Sequence, residues 1–231
     1  MNRALLGLLV AGLAFAGSHV LLSSTRLRGA LRDQLGENGF LVVYSLVAVA
    51  TFAWFVVAFP GAPATELWPR QRWMALLPVV LVPFAAILLV AGYSTPNPTA
   101  VTMERRARTD DPAPGILSIT RHPVMWAIGL WAGAHLIADG TLRGVVFFGI
   151  VALLSLGGTL LIDRKKRLAL GSNWIRLAQV TSNLPFAAIL SGRTRLRWRE
   201  IGILRIIAAL LLYAVLYRAH IRFAGVPVVI P

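Results

Sequence analysis

The chain has no cysteine in its 231 residues. That excludes disulfides, cysteine-held iron–sulfur clusters and thiolate-ligated haem. Acids are scarce as well: nine Asp and Glu against 23 Lys and Arg, for a formal net charge of +14. All nine lie outside the long apolar runs or at their ends, with Asp139 and Asp163 at edges. Carboxylates inside a bilayer are the usual mark of ion coupling and proton relays, so their absence argues against an ion-driven transporter. It also removes the carboxylate pairs of acid–base hydrolysis. No GxSxG, HExxH or phosphate-binding loop occurs. Charged residues make up only 14% of the chain, where a soluble domain carries roughly 25%.

What fills the space is apolar: 57% of the residues are hydrophobic. They come in blocks of about 17 to 22 residues, enough to cross a hydrocarbon core roughly 30 Å thick. In lipid the backbone must satisfy its own hydrogen bonds, so the blocks are helices. The fold class predicted is all-α: a polytopic transmembrane helix bundle of about six spans and a single membrane domain over 1–231. The spans are near 4–22, 40–59, 73–93, 116–138, 142–162 and 202–217. The strongly apolar part of the fourth, from Pro123 to Ala138, is short for a span, and the start near 116 counts the less apolar residues before it. Pro78 and Pro83 predict a kink in the third, with freed carbonyls covered by neighbouring helices. Arg3 and "AFA" at 14–16 imitate a signal peptide, but the apolar run continues to Leu22, so the segment is read as a retained span. In the long loop, 163–201, "LPFAAIL" reads as a short amphipathic or re-entrant piece, and Trp174 and Trp198 suit the headgroup level.

Basic residues set the orientation. Loops after spans one, three and five hold 16 Lys and Arg, among them Arg26, Arg105, Arg106, Arg108, Arg121 and the run Arg164–Arg167; the opposite side holds 6. The positive-inside rule then places the basic loops in the cytoplasm and both termini outside. Anionic lipid headgroups are the expected partners of these charges, and nucleic acid is not.

Four histidines remain: His19, His122, His135 and His220. His220 follows the last span and reads as an interfacial residue without a task. His122 stands in "TRHP", where the chain enters span four, ahead of a first-turn proline. His19 and His135 lie within apolar runs, and an ionisable group there is a functional candidate. One turn before His19 are Ala16 and Phe15, then Gly12; before His135 are Ala132 and Trp131, then Ile128. Small residues beside aromatics suit a flat ligand such as a haem held by two imidazoles. They equally suit close helix packing. His122 and His135 lie roughly 220° apart around their helix and about 20 Å along it, so they serve different sites. His19 falls near the inner end of span one and His135 toward the outer end of span four. A haem shared by that pair would lie tilted toward the membrane plane, whereas His19 and His122 sit at more similar depth.

The segments "SHVLLSSTRLRGALRDQLGENGF", "GILSITRHPVMWAIGLWAGAHLIADG", "LLIDRKKRLALG" and "TSNLPFAAILSGR" together resemble the NnrU family over nearly the whole chain. They also resemble the 15-cis-zeta-carotene isomerases of plants and cyanobacteria. The NnrU resemblance implies a bacterial inner-membrane protein linked to denitrification, supporting nitrite or nitric oxide reductase function or assembly. The isomerase resemblance implies haem b on two axial histidines, carried here to His19 and His135. It also implies a cysteine three residues before the second ligand. Alanine (Ala132) stands there, so the switching thiolate is missing. Phe15 and Trp131 would flank the haem, and Arg121 or Arg26 would meet its propionates. A wider likeness to isoprenylcysteine and phospholipid methyltransferases implies S-adenosylmethionine held by Arg121, His122 and, loosely, Asp163. Where those enzymes carry paired glutamates, this chain reads "DRKK". The expectations are therefore a haem-binding membrane protein or, as rivals, a membrane methyltransferase and a non-catalytic assembly factor.

Overall fold

The computed structural model describes residues 2–24, 26–100, 111, 113–226 and 228. Arg105, Arg106, Arg108 and the side chain of Arg26 lie outside that description. The chain is helical almost throughout: α1 (Arg3–Ser24), α2 (Arg26–Gly61), α3 (Arg72–Ser94), α4 (Pro123–Asp139), α5 (Leu142–Leu170), α6 (Ser172–Val180), α7 (Ala187–Leu190), α8 (Trp198–Ile201) and α9 (Ile203–Ala224). Five of these, α1, α2, α3, α5 and α9, are long and apolar enough to cross a membrane. The sixth apolar helix, α4, has 17 residues. It starts at Pro123; the preceding Gly115–Ser118 forms a separate, buried 3-10 turn rather than the first turn of a longer span. Apolar side chains cover the outside, as lipid-facing surfaces require: Val57 is 75% exposed, Leu153 76% and Leu204 78%. This is a multi-pass membrane helix bundle.

The helices pack in the order α2, α1, α5, α4, α3, α9, so α5 lies between α1 and α4, and α3 between α4 and α9. Two apolar cores result. One joins Ala85, Leu88 and Ala91 of α3 to Ala127 of α4, to Ile116 and Leu117 of the 3-10 turn and to Ile201 of α8. The other joins Leu8 and Ala11 of α1, Phe55 of α2, Ala132 of α4 and Phe147 and Val151 of α5. Gly12 permits this second core, because a Cβ there would stand 2.8 Å from the Phe55 ring and press on Ile150.

Helix α2 is broken at Gly36, whose φ of 72° and ψ of 171° suit glycine alone. The first piece, 26–35, precedes the membrane; the second spans it. Arg28 and Arg32 both pair with Glu37 across the break. In α3, Pro83 lacks an N–H and leaves the carbonyl of Val79 without its helical donor. Tyr213 of α9 donates its hydroxyl to that oxygen at 3.2 Å.

Candidate functional site

Two sets of polar residues stand out against this apolar frame. The first lies where α4 begins. Pro123 occupies the first turn of α4, and His122 is the residue before it. Asp163 lies on α5 beyond its apolar stretch, and its carboxylate accepts from both neighbours in the TRHP segment. Arg121 donates Nε at 2.9 Å and Nη2 at 2.5 Å; His122 donates Nε2 at 2.6 Å. Asn183 bridges the group, donating to Thr159 Oγ1 at 2.9 Å and to Asp163 at 3.4 Å, while its carbonyl accepts from Thr120 at 2.6 Å. Side chains from a third loop close the node: Asn97 Nδ2 and Thr99 Oγ1 both donate to the Arg121 carbonyl. His122 is 2% exposed. Burial holds its imidazole below the ordinary range, against the hydrogen bond and charge of Asp163, which pull the other way.

These bonds use up the groups that the sequence had offered to ligands. Arg121 spends its guanidinium on Asp163 and the Thr181 carbonyl, with its face 5.2 Å from the Trp174 ring. It is not placed as a free cation for a propionate. Trp174 is correspondingly buried, at 3% exposure, and not at a headgroup surface; Trp198 is exposed. Beside Trp174 opens a cleft of about 640 Å³ lined by Arg167, Gly171, Ile175, Ala178, Gln179 and Arg193.

The second set is the intramembrane imidazoles. His19 donates Nδ1 to the Phe15 carbonyl at 2.9 Å, and His135 donates Nδ1 to the Trp131 carbonyl at 2.8 Å. A carbonyl only accepts, so Nδ1 is the donor in each ring, and the neutral ring then carries its lone pair on Nε2. Phe15 lies edge-on to His19 at 4.5 Å, and Trp131 lies 5.0 Å from His135. Each histidine is thus flanked by its own aromatic, as the spacing suggests.

The structure does not bring the two together. Ala11 and Ala132 belong to one core. His19 lies eight residues inward from the first, and His135 three residues outward from the second. The two rings therefore lie at different depths, His19 toward the last turns of α1 and His135 toward the last turns of α4, which runs the other way. A run of rings separates them: Phe15 to Phe55 at 6.2 Å, Phe55 to Phe147 at 4.6 Å, Phe147 to Phe148 at 5.2 Å and Phe148 to His135 at 5.3 Å. The space beside Gly12 is filled by Phe55 and Ile150, and Ala132 is fully buried.

The family model described as NnrU protein matches residues 7–228. The chain belongs to the NnrU family. No curated protein and no solved structure matches it. In this NnrU-family protein the candidate residues fall into the two sets described above. Asn183 and Thr159 were not legible as members of the first, since an amide in "TSN" reads as turn chemistry. His220 was not legible in the second. Its ring lies 6.4 Å from that of His135, and nothing in α9 alone indicates which helix it meets.

Proposed function

We propose that this NnrU-family membrane protein binds haem through His135. The observation that supports it is the fixed tautomer: Nδ1 is held by the Trp131 carbonyl, so a basic Nε2 is presented in an aromatic, half-buried setting. Metal-bound histidines usually have their second nitrogen held this way. Haem, when bound, supplies one-electron redox chemistry. The protein's own part is to orient His135, to exclude water with Trp131 and Phe148, and to offer no sulfur at Ala132. The last point makes ligand exchange of the isomerase kind unavailable. His19 has the same pinned geometry and is the other intramembrane candidate. Family membership supports a place beside nitrite or nitric oxide reductase or its assembly machinery. The charge asymmetry supports an inner-membrane orientation with both termini periplasmic and the basic loops cytoplasmic. Titrating the purified protein with hemin tests the reading. A saturable Soret band is expected for the wild type and a strongly weakened one for His135→Ala. Equal binding by both proteins would refute the assignment.

A second reading, an S-adenosylmethionine-dependent methyltransferase, draws support from one observation. The three residues matched to that chemistry, Arg121, His122 and Asp163, do meet, and a cleft opens beside Trp174. Their mutual saturation argues for a brace instead. Calorimetry with S-adenosylhomocysteine decides: heat of binding lost in His122→Ala supports the enzyme, and no heat in the wild type rejects it.

A further inference from the structure

The cleft of about 640 Å³ beside Trp174 has a charge of one sign. Arg167 and Arg193 line it with the amide of Gln179, and its remaining walls are glycine and apolar side chains, Ile175 and Ala178 among them. Among the described residues no carboxylate lines it, and none of Arg121, His122 and Asp163 does. Arg167 belongs to the last turn of α5 and is exposed. It makes no hydrogen bond or ion pair with any described residue. Arg193 is held in place: its Nη1 donates to the carbonyls of Ala178 at 2.9 Å and Thr181 at 3.0 Å, and its Nε to Ser191 Oγ at 3.0 Å. Those acceptors are neutral, so its charge stays uncompensated. Two guanidinium groups on one acid-free cleft repel each other, and an anion between them stabilises both.

The surroundings say what kind of anion. From Leu142 to Arg167, α5 rises about 37 Å, past a hydrocarbon layer roughly 30 Å thick and into the headgroup region. Large apolar side chains adjoin the cleft and are exposed: Leu168 next to Arg167, Ile175 in the wall, and Leu190 shortly before Arg193. A soluble anion would satisfy the arginines and leave these side chains in water. A phospholipid satisfies both, with its phosphate on the guanidinium forks and its glycerol and upper acyl chains on the apolar rim. A choline or ethanolamine headgroup would bring a cation into a cleft already positive. We propose that the cleft binds one anionic phospholipid of the leaflet facing the basic loops, its phosphate held between Arg167 and Arg193. This site is independent of the haem reading.

Titrating the full-length protein in neutral detergent with tail-labelled phosphatidylglycerol tests this. One saturable site per chain is expected. Arg167→Gln is the deciding variant, because that side chain bonds to nothing described in the protein and its loss leaves the fold intact. It is expected to raise Kd about tenfold. Arg193→Lys, which keeps the charge and loses the fork, is expected to raise Kd by less. Arg176→Gln removes the same charge from α6 outside the cleft and is expected to leave Kd unchanged. Binding that survives Arg167→Gln, or that Arg176→Gln weakens equally, would overturn the site in favour of diffuse surface charge. Phosphatidylcholine binding as tightly would overturn the selection for an anion. Displacement of the lipid by an excess of glycerol phosphate would overturn the lipid in favour of a soluble anion.

Discussion

At the scale of single residues, Asp163 carries the greatest burden. Its one carboxylate holds both a guanidinium and an imidazole. Removing its charge leaves Arg121 partly buried without a counter-ion. Asp163→Asn is expected to destabilise the protein by roughly 3 kcal/mol, read as a shift in its SDS-induced unfolding in mixed micelles. His122 adds a pH dependence of definite sign. Its folded-state pKa lies below the ordinary histidine value, so the folded form favours the neutral ring. That stability is fully present above about pH 6.5 and is lost as pH falls through the depressed folded value. The melting temperature in detergent is expected to drop on acidification below pH 6.5, and to drop less in His122→Gln, whose amide does not titrate. A flat profile in the wild type would contradict the neutral assignment. Arg121 and His122 were visible in the sequence because charge at the start of an apolar run is conspicuous. Their closed mutual bonding was not, since it depends on Asp163 lying on a helix that only the fold brings near.

At the scale of elements, apolar run length located nearly every long helix, because the bilayer imposes that length on any span. Interruptions were legible only where a residue forces them. Pro83 forced an unpaired carbonyl, and the sequence predicted cover from a neighbour; that it is Tyr213 could not be read. Tyr213→Phe is expected to cost about 1 kcal/mol, since one hydrogen bond between membrane helices is lost while the ring remains. The same unfolding assay reads it, and no change would mean that water or a shift of α3 satisfies Val79. The helical piece before Gly36 was not legible, because its charged residues read as the basic loop after span one. Gly12, whose small size suits a flat ligand and close helix packing alike, lies against Phe55 and Ile150. Gly12→Leu is therefore expected to overpack this contact and cost roughly 1–3 kcal/mol.

At the scale of the whole molecule, the row of six apolar helices has one strongly basic side and one poorly charged side. The natural lack of cysteine makes the orientation directly measurable. Single replacements at exposed positions, Ser172→Cys after α5 and Glu66→Cys between α2 and α3, are expected to react with impermeant maleimide from opposite sides of the membrane. In intact cells, after permeabilising only the outer membrane, position 66 is expected to label and position 172 not. The same architecture brings His135 and His220 to one end of the bundle and leaves His19 toward the other. Pairing across helices is a property of the fold, and for that reason the sequence could nominate His135 but not its neighbour. The decisive measurement is the absorption spectrum of the protein purified from membranes grown with ample haem precursor. One haem per chain, with a Soret band that disappears in His135→Ala and survives in His122→Gln, is the expected result. A colourless wild type, or a band indifferent to His135, would contradict it.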